Sequence, residues 1–236
     1  MISMVIMQQL LLELMQNADK KYKADAAKYF KEGIKLHGVR LPVVRKIARK
    51  HWKILPSKEK KEVFKICEKL LTYDQQEMHV IAFQWAYAVR KQYTKKDFPT
   101  FERWLKKYVD NWAKCDDFCG GALGYFLHEF PEFLPRVFKW TNSRNRWLKR
   151  ASAVSLIYSL RRGKYLKNAF KTADALLTDE DDLVQKGYGW MLKEACRNYE
   201  KEIFAYVMKN KRKMPRTALR YAIEKMPESV KKKAMS

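Results

Sequence analysis

Apolar residues recur at helical spacing along almost the whole chain, and no stretch alternates with the period of two that marks a half-buried strand. Groups such as Phe64, Ile66, Leu70 and Leu71, then Leu123, Phe126 and Leu127, then Val154, Leu156 and Ile157, read as core stripes, as do Phe83, Trp85 and Tyr87. The pattern predicts helices over roughly 2–17, 19–31, 42–54, 57–71, 75–92, 97–109, 111–129, 132–140, 145–161, 165–177, 181–198, 200–211 and 215–233. Gly33 and Gly38 bound a link, Pro42 opens a helix, Ser57 is placed to cap the next, and Asp74 with Glu77 has the spacing of a capping box. Pro131 stops another.

Long helices begin near 75, 111, 145 and 181, an interval of about 36 residues, each preceded by a shorter partner. That spacing predicts an all-α fold, an α-α superhelix of HEAT-like repeats forming a single domain over 1–236. One helix of each pair then lines a concave face. Gly120 and Gly121 fall inside a predicted helix, where they serve either close helix approach or room for a ligand backbone.

Charge changes the picture from architecture to partner. The 236 residues carry 50 Lys and Arg against 26 Asp and Glu, a net +24 spread along the whole length. Such a surface suits a polyanion, nucleic acid first and a membrane surface second. Met1 to Met15 is apolar but interrupted by Gln8, Gln9 and Glu13, which suggests an amphipathic helix and not a signal peptide. No apolar run has membrane-spanning length, and a cytoplasmic location is expected. Cys67, Cys115, Cys119 and Cys196 form no C-x-x-C pair, and His37, His51, His79 and His128 are dispersed, so reduced thiols and no metal are expected.

The sequence holds no P-loop, Rossmann turn, zincin motif or G-x-S-x-G elbow. Glu180, Asp181 and Asp182 sit at a predicted helix start and read as capping. Asp116 differs. It lies one turn beyond Trp112 in a predicted mid-helix, a place where Asp is a poor helix former. On residues alone it is either a functional carboxylate or an ordinary ion-paired one.

Asn-Trp-Ala-Lys-Cys-Asp-Asp at 111–117, Arg-Trp-Leu-Lys-Arg at 146–150 and Gly-Tyr-Gly-Trp-Met-Leu-Lys-Glu at 187–194 together resemble the AlkD-like DNA alkylation repair family of HEAT-repeat DNA glycosylases. Lys-Tyr-Phe-Lys at 28–31 and Gly-Val-Arg-Leu-Pro-Val-Val-Arg at 38–45 are similar to its N-terminal pattern. The similarity covers nearly the whole chain, although no single motif is specific. It implies a monofunctional glycosylase that removes cationic N3- and N7-alkylated purines from double-stranded DNA with water, without metal or nucleotide cofactor; a solenoid that grips a duplex is expected to work as a monomer. It implies Asp116, Trp112, Trp190 and Arg150 as the catalytic set. Arg150 would hold a phosphate, pair with Asp116, or both. Arg40 departs from an uncharged polar residue in some members, which leaves lesion preference open. Phosphate contacts are expected from Arg40, Arg45, Lys114, Arg144, Arg146, Lys149, Arg150, Lys186 and Lys193. With no evident wedge, a grip on distorted duplex backbone is expected in place of base capture. The competing readings are a non-catalytic basic module for duplex DNA or structured RNA, and a scaffold for an acidic protein.

Overall fold

The computed structural model describes residues 2–236, and its described residues are helical with no strand among them. The helices are α1 (Ile2–Gln16), α2 (Lys20–Ala27), α3 (Leu41–Ile54), α4 (Lys60–Leu71), α5 (Gln76–Ala88) and α6 (Phe98–Tyr108). Then come α7 (Trp112–Phe118), α8 (Gly124–Glu129), α9 (Leu134–Phe138), α10 (Arg146–Val154) and α11 (Ile157–Leu160). The chain finishes with α12 (Leu166–Ala175), α13 (Asp182–Asn210), α14 (Arg216–Ile223) and α15 (Glu228–Met235).

Two layers result. In one, α3, α5, α7, α10, α13 and α14 contact one another in succession; α4, α9 and α12 lie among the shorter partners outside. The inner helices begin at residues 76, 112, 146 and 182, each one residue beyond the expected start. The last three open on the same chemistry. Asn111 accepts from the Lys114 amide, Asn145 from the Trp147 amide and Asp181 from the Leu183 amide, so a short polar side chain satisfies an orphan N–H each time. The core between the layers is aromatic: Trp85, Trp104, Phe98, Phe101, Phe118 and Phe126 are fully buried. The Trp85 indole nitrogen donates to the Ala48 carbonyl at 2.9 Å, which ties α5 to α3 without an unsatisfied donor.

Several local expectations are corrected. The α5 helix starts one residue late, so Glu77 cannot close a capping box on Asp74, which instead pairs with Lys35 at 2.6 Å. Glu77 is buried, and its carboxylate accepts the amides of His37, Gly38 and Val39 at 3.1, 2.9 and 3.1 Å. Gly38 makes that hairpin of amides possible, with φ +100° and no space for a Cβ. Ser57 accepts from the Glu59 amide and does not cap α4, whose N-cap is Glu59. The α2 helix ends at Ala27, not 31. The predicted helix over 145–161 breaks between α10 and α11, and that over 215–233 breaks after Ile223 and resumes beyond Pro227, the N-cap residue of α15. The kink inside α13 falls at Tyr199 (φ −143°, ψ 43°), where the sequence pattern separates two helices.

Between α7 and α8 the chain forms a π-helical turn, Cys119–Leu123. Gly120 and Gly121 lie in it, and a Cβ on either would meet nothing within 4 Å, so neither serves close helix approach. That role belongs to Gly124, where a Cβ would come within 2.8 Å of the Tyr158 Cβ.

Candidate functional site

Three inner helices bring the candidate residues together. On α7, Trp112 and Asp116 occupy one face, one turn apart. On α10, Arg150 turns its guanidinium toward them, and on α13, Trp190 closes the set. Arg150 Nε donates to Asp116 Oδ1 and Nη2 to Oδ2, both at 2.8 Å, a two-pronged fork. Its Nη1 donates to the Leu183 carbonyl. The Arg150 side chain is only 6% exposed, against 18% for Asp116. All three guanidinium nitrogens of Arg150 thus donate to protein, and of its two expected roles the geometry displays the pairing with Asp116. Gly187 creates the space: a Cβ there would lie 3.0 Å from Arg150 Cγ.

Burial pushes the Asp116 carboxyl above its ordinary pKa, and the Arg150 fork opposes that rise. The neighbouring Asp117 is pushed up further, to about 6; burial is the main cause, with Arg45 pulling against it and Asp116 adding to it. Arg45 Nη2 stands 3.5 Å from Asp117 Oδ1, a much looser contact than the fork next to it.

These side chains open onto a cavity of about 570 Å³, within the range of small-molecule sites. Its walls are Trp112, Asp116, Asp117 and Trp190 on one side and Leu41, Val44 and Arg45 of α3 on another. Its roof is the segment from Tyr22 to Ile34. Phe30 stacks on Trp112 with ring centroids 4.8 Å apart and planes 9° apart, and the Trp112 indole nitrogen donates to the Tyr29 carbonyl at 3.3 Å. One face of Trp112 is thus covered by protein. Trp190 is half-buried, and its indole nitrogen donates to Glu194 at 3.3 Å. Burial opposes ionisation of Glu194, but Arg161, Lys225 and Arg197 outweigh it and hold this carboxyl at about 2.

The sequence pointed to a grip on duplex backbone in place of base capture; the structure adds a cavity beside Asp116. The roof that encloses it includes the Lys-Tyr-Phe-Lys segment at 28–31, to which the sequence assigned no role at the site. The quoted motifs contained Asp117, Gly187 and Phe30 without a role for any of them, and Glu77 was read as a capping residue. Glu194 was likewise quoted within the motif around Trp190.

The expected phosphate contacts are mostly engaged. Arg40 pairs with Asp19 at 3.3 Å, Arg146 with Asp181 at 2.6 Å and Glu32 at 2.5 Å, and Lys149 with Asp179 at 2.6 Å. Lys186 pairs with Asp182 and Lys193 with Glu224, each at 3.0 Å. Lys114 is corrected: its side chain is 3% exposed and bound to Asp110 at 2.9 Å, so it faces no ligand. Arg144 is exposed and has no carboxylate partner among the described residues.

Residues 10–226 match the model of a family described as DNA alkylation repair enzyme. The chain belongs to that family. No curated protein gives a match. A solved structure described as a predicted DNA alkylation repair enzyme from Enterococcus faecalis is similar to this family member, with TM-score 0.75 and 15% identity over 90% of this chain and 98% of that one. The structure of smu.31 from Streptococcus mutans UA159 is also similar, with TM-score 0.55 and 16% identity over 82% of this chain and 90% of that one. At such identities the likeness establishes the helical fold that this alkylation repair family member shares with them. Among its described residues no group of His, Cys, Asp or Glu is arranged to hold a metal, and no helix is long and apolar enough to cross a membrane.

Proposed function

We propose that this protein is a monofunctional DNA glycosylase that hydrolyses the N-glycosidic bond of cationic N3- and N7-alkylated purines in duplex DNA and leaves an abasic site. The observation that carries this reading is the forked Asp116–Arg150 pair at the wall of a cavity shared with Trp112 and Trp190.

Alkylation at N3 or N7 already charges the purine, so the base leaves readily and the deoxyribose acquires cationic character. The catalyst needs a fixed negative charge beside C1′ and a placed water. Asp116 supplies both. Arg150 is a positioning residue: its two parallel hydrogen bonds fix the rotamer of Asp116 and favour its ionised form. Trp190 offers a π face to the developing cation, with Glu194 fixing the indole edge. Trp112 contributes from the side that Phe30 does not cover.

Arg40, Arg45, Arg144, Arg146, Lys149 and Lys186 are the phosphate contacts in this reading. The Arg40–Asp19 and Lys186–Asp182 pairs are exposed, and such pairs are worth about 0–1 kcal/mol, so a phosphate displaces or shares those two carboxylates at small cost. The partner is double-stranded DNA, bound by a monomer.

Release of N7-methylguanine and N3-methyladenine from methylated duplex tests the proposal, with wild type, Asp116→Asn and an enzyme-free control. Release by wild type, with the variant near the control, supports it. No release above spontaneous depurination, together with tight, salt-sensitive duplex binding, replaces it with the non-catalytic module.

A further inference from the structure

Asp116 and Asp117 are adjacent in sequence and open onto the same cavity, yet they are held differently. Asp116 is locked by two 2.8 Å bonds from a buried guanidinium. Asp117 has one contact at 3.5 Å, from an arginine that is half exposed. The other charged and titratable groups on the cavity wall leave Asp117 alone. From α5, Glu77 is committed to the amides of 37–39. From α2, Asp25 pairs with Lys28 at 2.8 Å, and Tyr22 and Tyr29 are the remaining titratable groups of the roof. The cavity therefore contains one fixed carboxylate and one loosely held carboxyl, the arrangement by which two acids take different roles.

We propose that Asp117 is a general acid that extends this enzyme to neutral purine lesions, those lacking the alkyl cation. The inference rests on the glycosylase reading above and goes beyond its substrate class. A neutral purine is a poor leaving group until N3 or N7 carries a proton. That proton does chemically what the alkyl group does in a cationic lesion. The C1′–N9 bond breaks with its electron pair going to the base, and the Asp117 proton is added to the purine ring nitrogen. Water adds to C1′ and passes its proton to the Asp116 carboxylate; Asp116 then releases that proton to solvent and Asp117 takes one up from solvent, which restores both groups. Burial already lifts Asp117 to about 6, and a DNA phosphate that draws Arg45 away removes the cation opposing that rise. Substrate binding thus loads the acid.

The test is single-turnover excision by the full chain on matched duplexes. One carries a single hypoxanthine, a neutral deaminated purine, and the other a single N7-methylguanine; both are followed between about pH 5 and 9. The ratio of hypoxanthine to N7-methylguanine release is expected to fall about tenfold per pH unit above a midpoint at or above about 6. Asp117→Asn should lower that ratio by about 100-fold at the acidic end, the usual scale for a lost general acid. Arg45→Gln should move the midpoint to higher pH, and this measurement decides the matter if the Asn variant does not fold. A ratio independent of pH, or one that Asp117→Asn leaves unaltered, overturns the proposal. N7-methylguanine release with no hypoxanthine release above the enzyme-free control overturns this inference alone. No release of either base overturns the glycosylase reading with it.

Discussion

The cavity has a wall and a roof built on opposite principles. The wall is carried by α7, α10 and α13, which pack in succession and bury Cys115, Phe118, Leu148, Ala151, Val184 and Met191 behind the site. The roof, from Tyr22 to Ile34, has no buried residue in its helix α2, and Tyr29 is 77% exposed. The roof is fastened by the Phe30–Trp112 stack, the Glu32–Arg146 pair and the Asp19–Arg40 pair. The wall holds the charged groups in fixed geometry while the roof is fastened by contacts that are individually weak. Opening the roof therefore costs little, and disturbing the wall costs a great deal.

The comparison is broken most sharply at Arg150. Arg150→Met leaves the Asp116 carboxylate buried without its cation, and about 3–5 kcal/mol of stability should be lost in denaturant titration. Gly187→Ala attacks the same pair from behind. Its new methyl, 3.0 Å from Arg150 Cγ, should cost about 1–3 kcal/mol and reduce excision although Asp116 is intact.

Asp117 should behave in the opposite sense. Its folded pKa of about 6 lies above the ordinary value of 3.8, so the unfolded chain gives up this proton first. Stability then declines as pH rises through that window, and above it the buried charge is a standing penalty. Asp117→Asn should raise stability at neutral pH by on the order of 1–2 kcal/mol, a side-chain exposure of 25% having reduced the full linkage value. The gain should vanish below about pH 4, where both states are protonated. The smallest effect belongs to the roof. Glu32→Gln should change global stability by less than about 1 kcal/mol. Amide exchange over 28–34 should nevertheless rise, with the α7 and α10 amides unaffected.

The starts of α7, α10 and α13 were legible because each begins with a polar cap followed by a helical apolar stripe, signals that are local in sequence. Trp112, Asp116, Arg150 and Trp190 were legible as a set only through the family resemblance, since no spacing rule joins residues 78 positions apart. What escaped notice depends on contacts between distant segments. Glu77 looked like a capping residue because its three amide donors lie about 40 positions upstream. Lys114 looked like a surface cation because a helical pattern does not show which polar residue a neighbouring helix will bury. Phe30 belonged to a quoted motif, yet nothing nearby indicated that it would stack on an indole 82 positions away.

The π-helical turn at Cys119–Leu123 has a consequence for how such a protein can change over generations. An α-helix advances about 100° per residue, so one inserted residue re-indexes everything that follows. Upstream, α7 aims Asp116 and Asp117 into the cavity; downstream, α8 keeps Phe126 and Leu127 in the core. The two halves of this continuous helix are thus set by separate phases. Deleting Gly120 or Gly121 would force them into a single phase, and either the carboxylates or the core aromatics would rotate out of place. The shift in register lets one helix present its carboxylates to the cavity and its aromatic residues to the core.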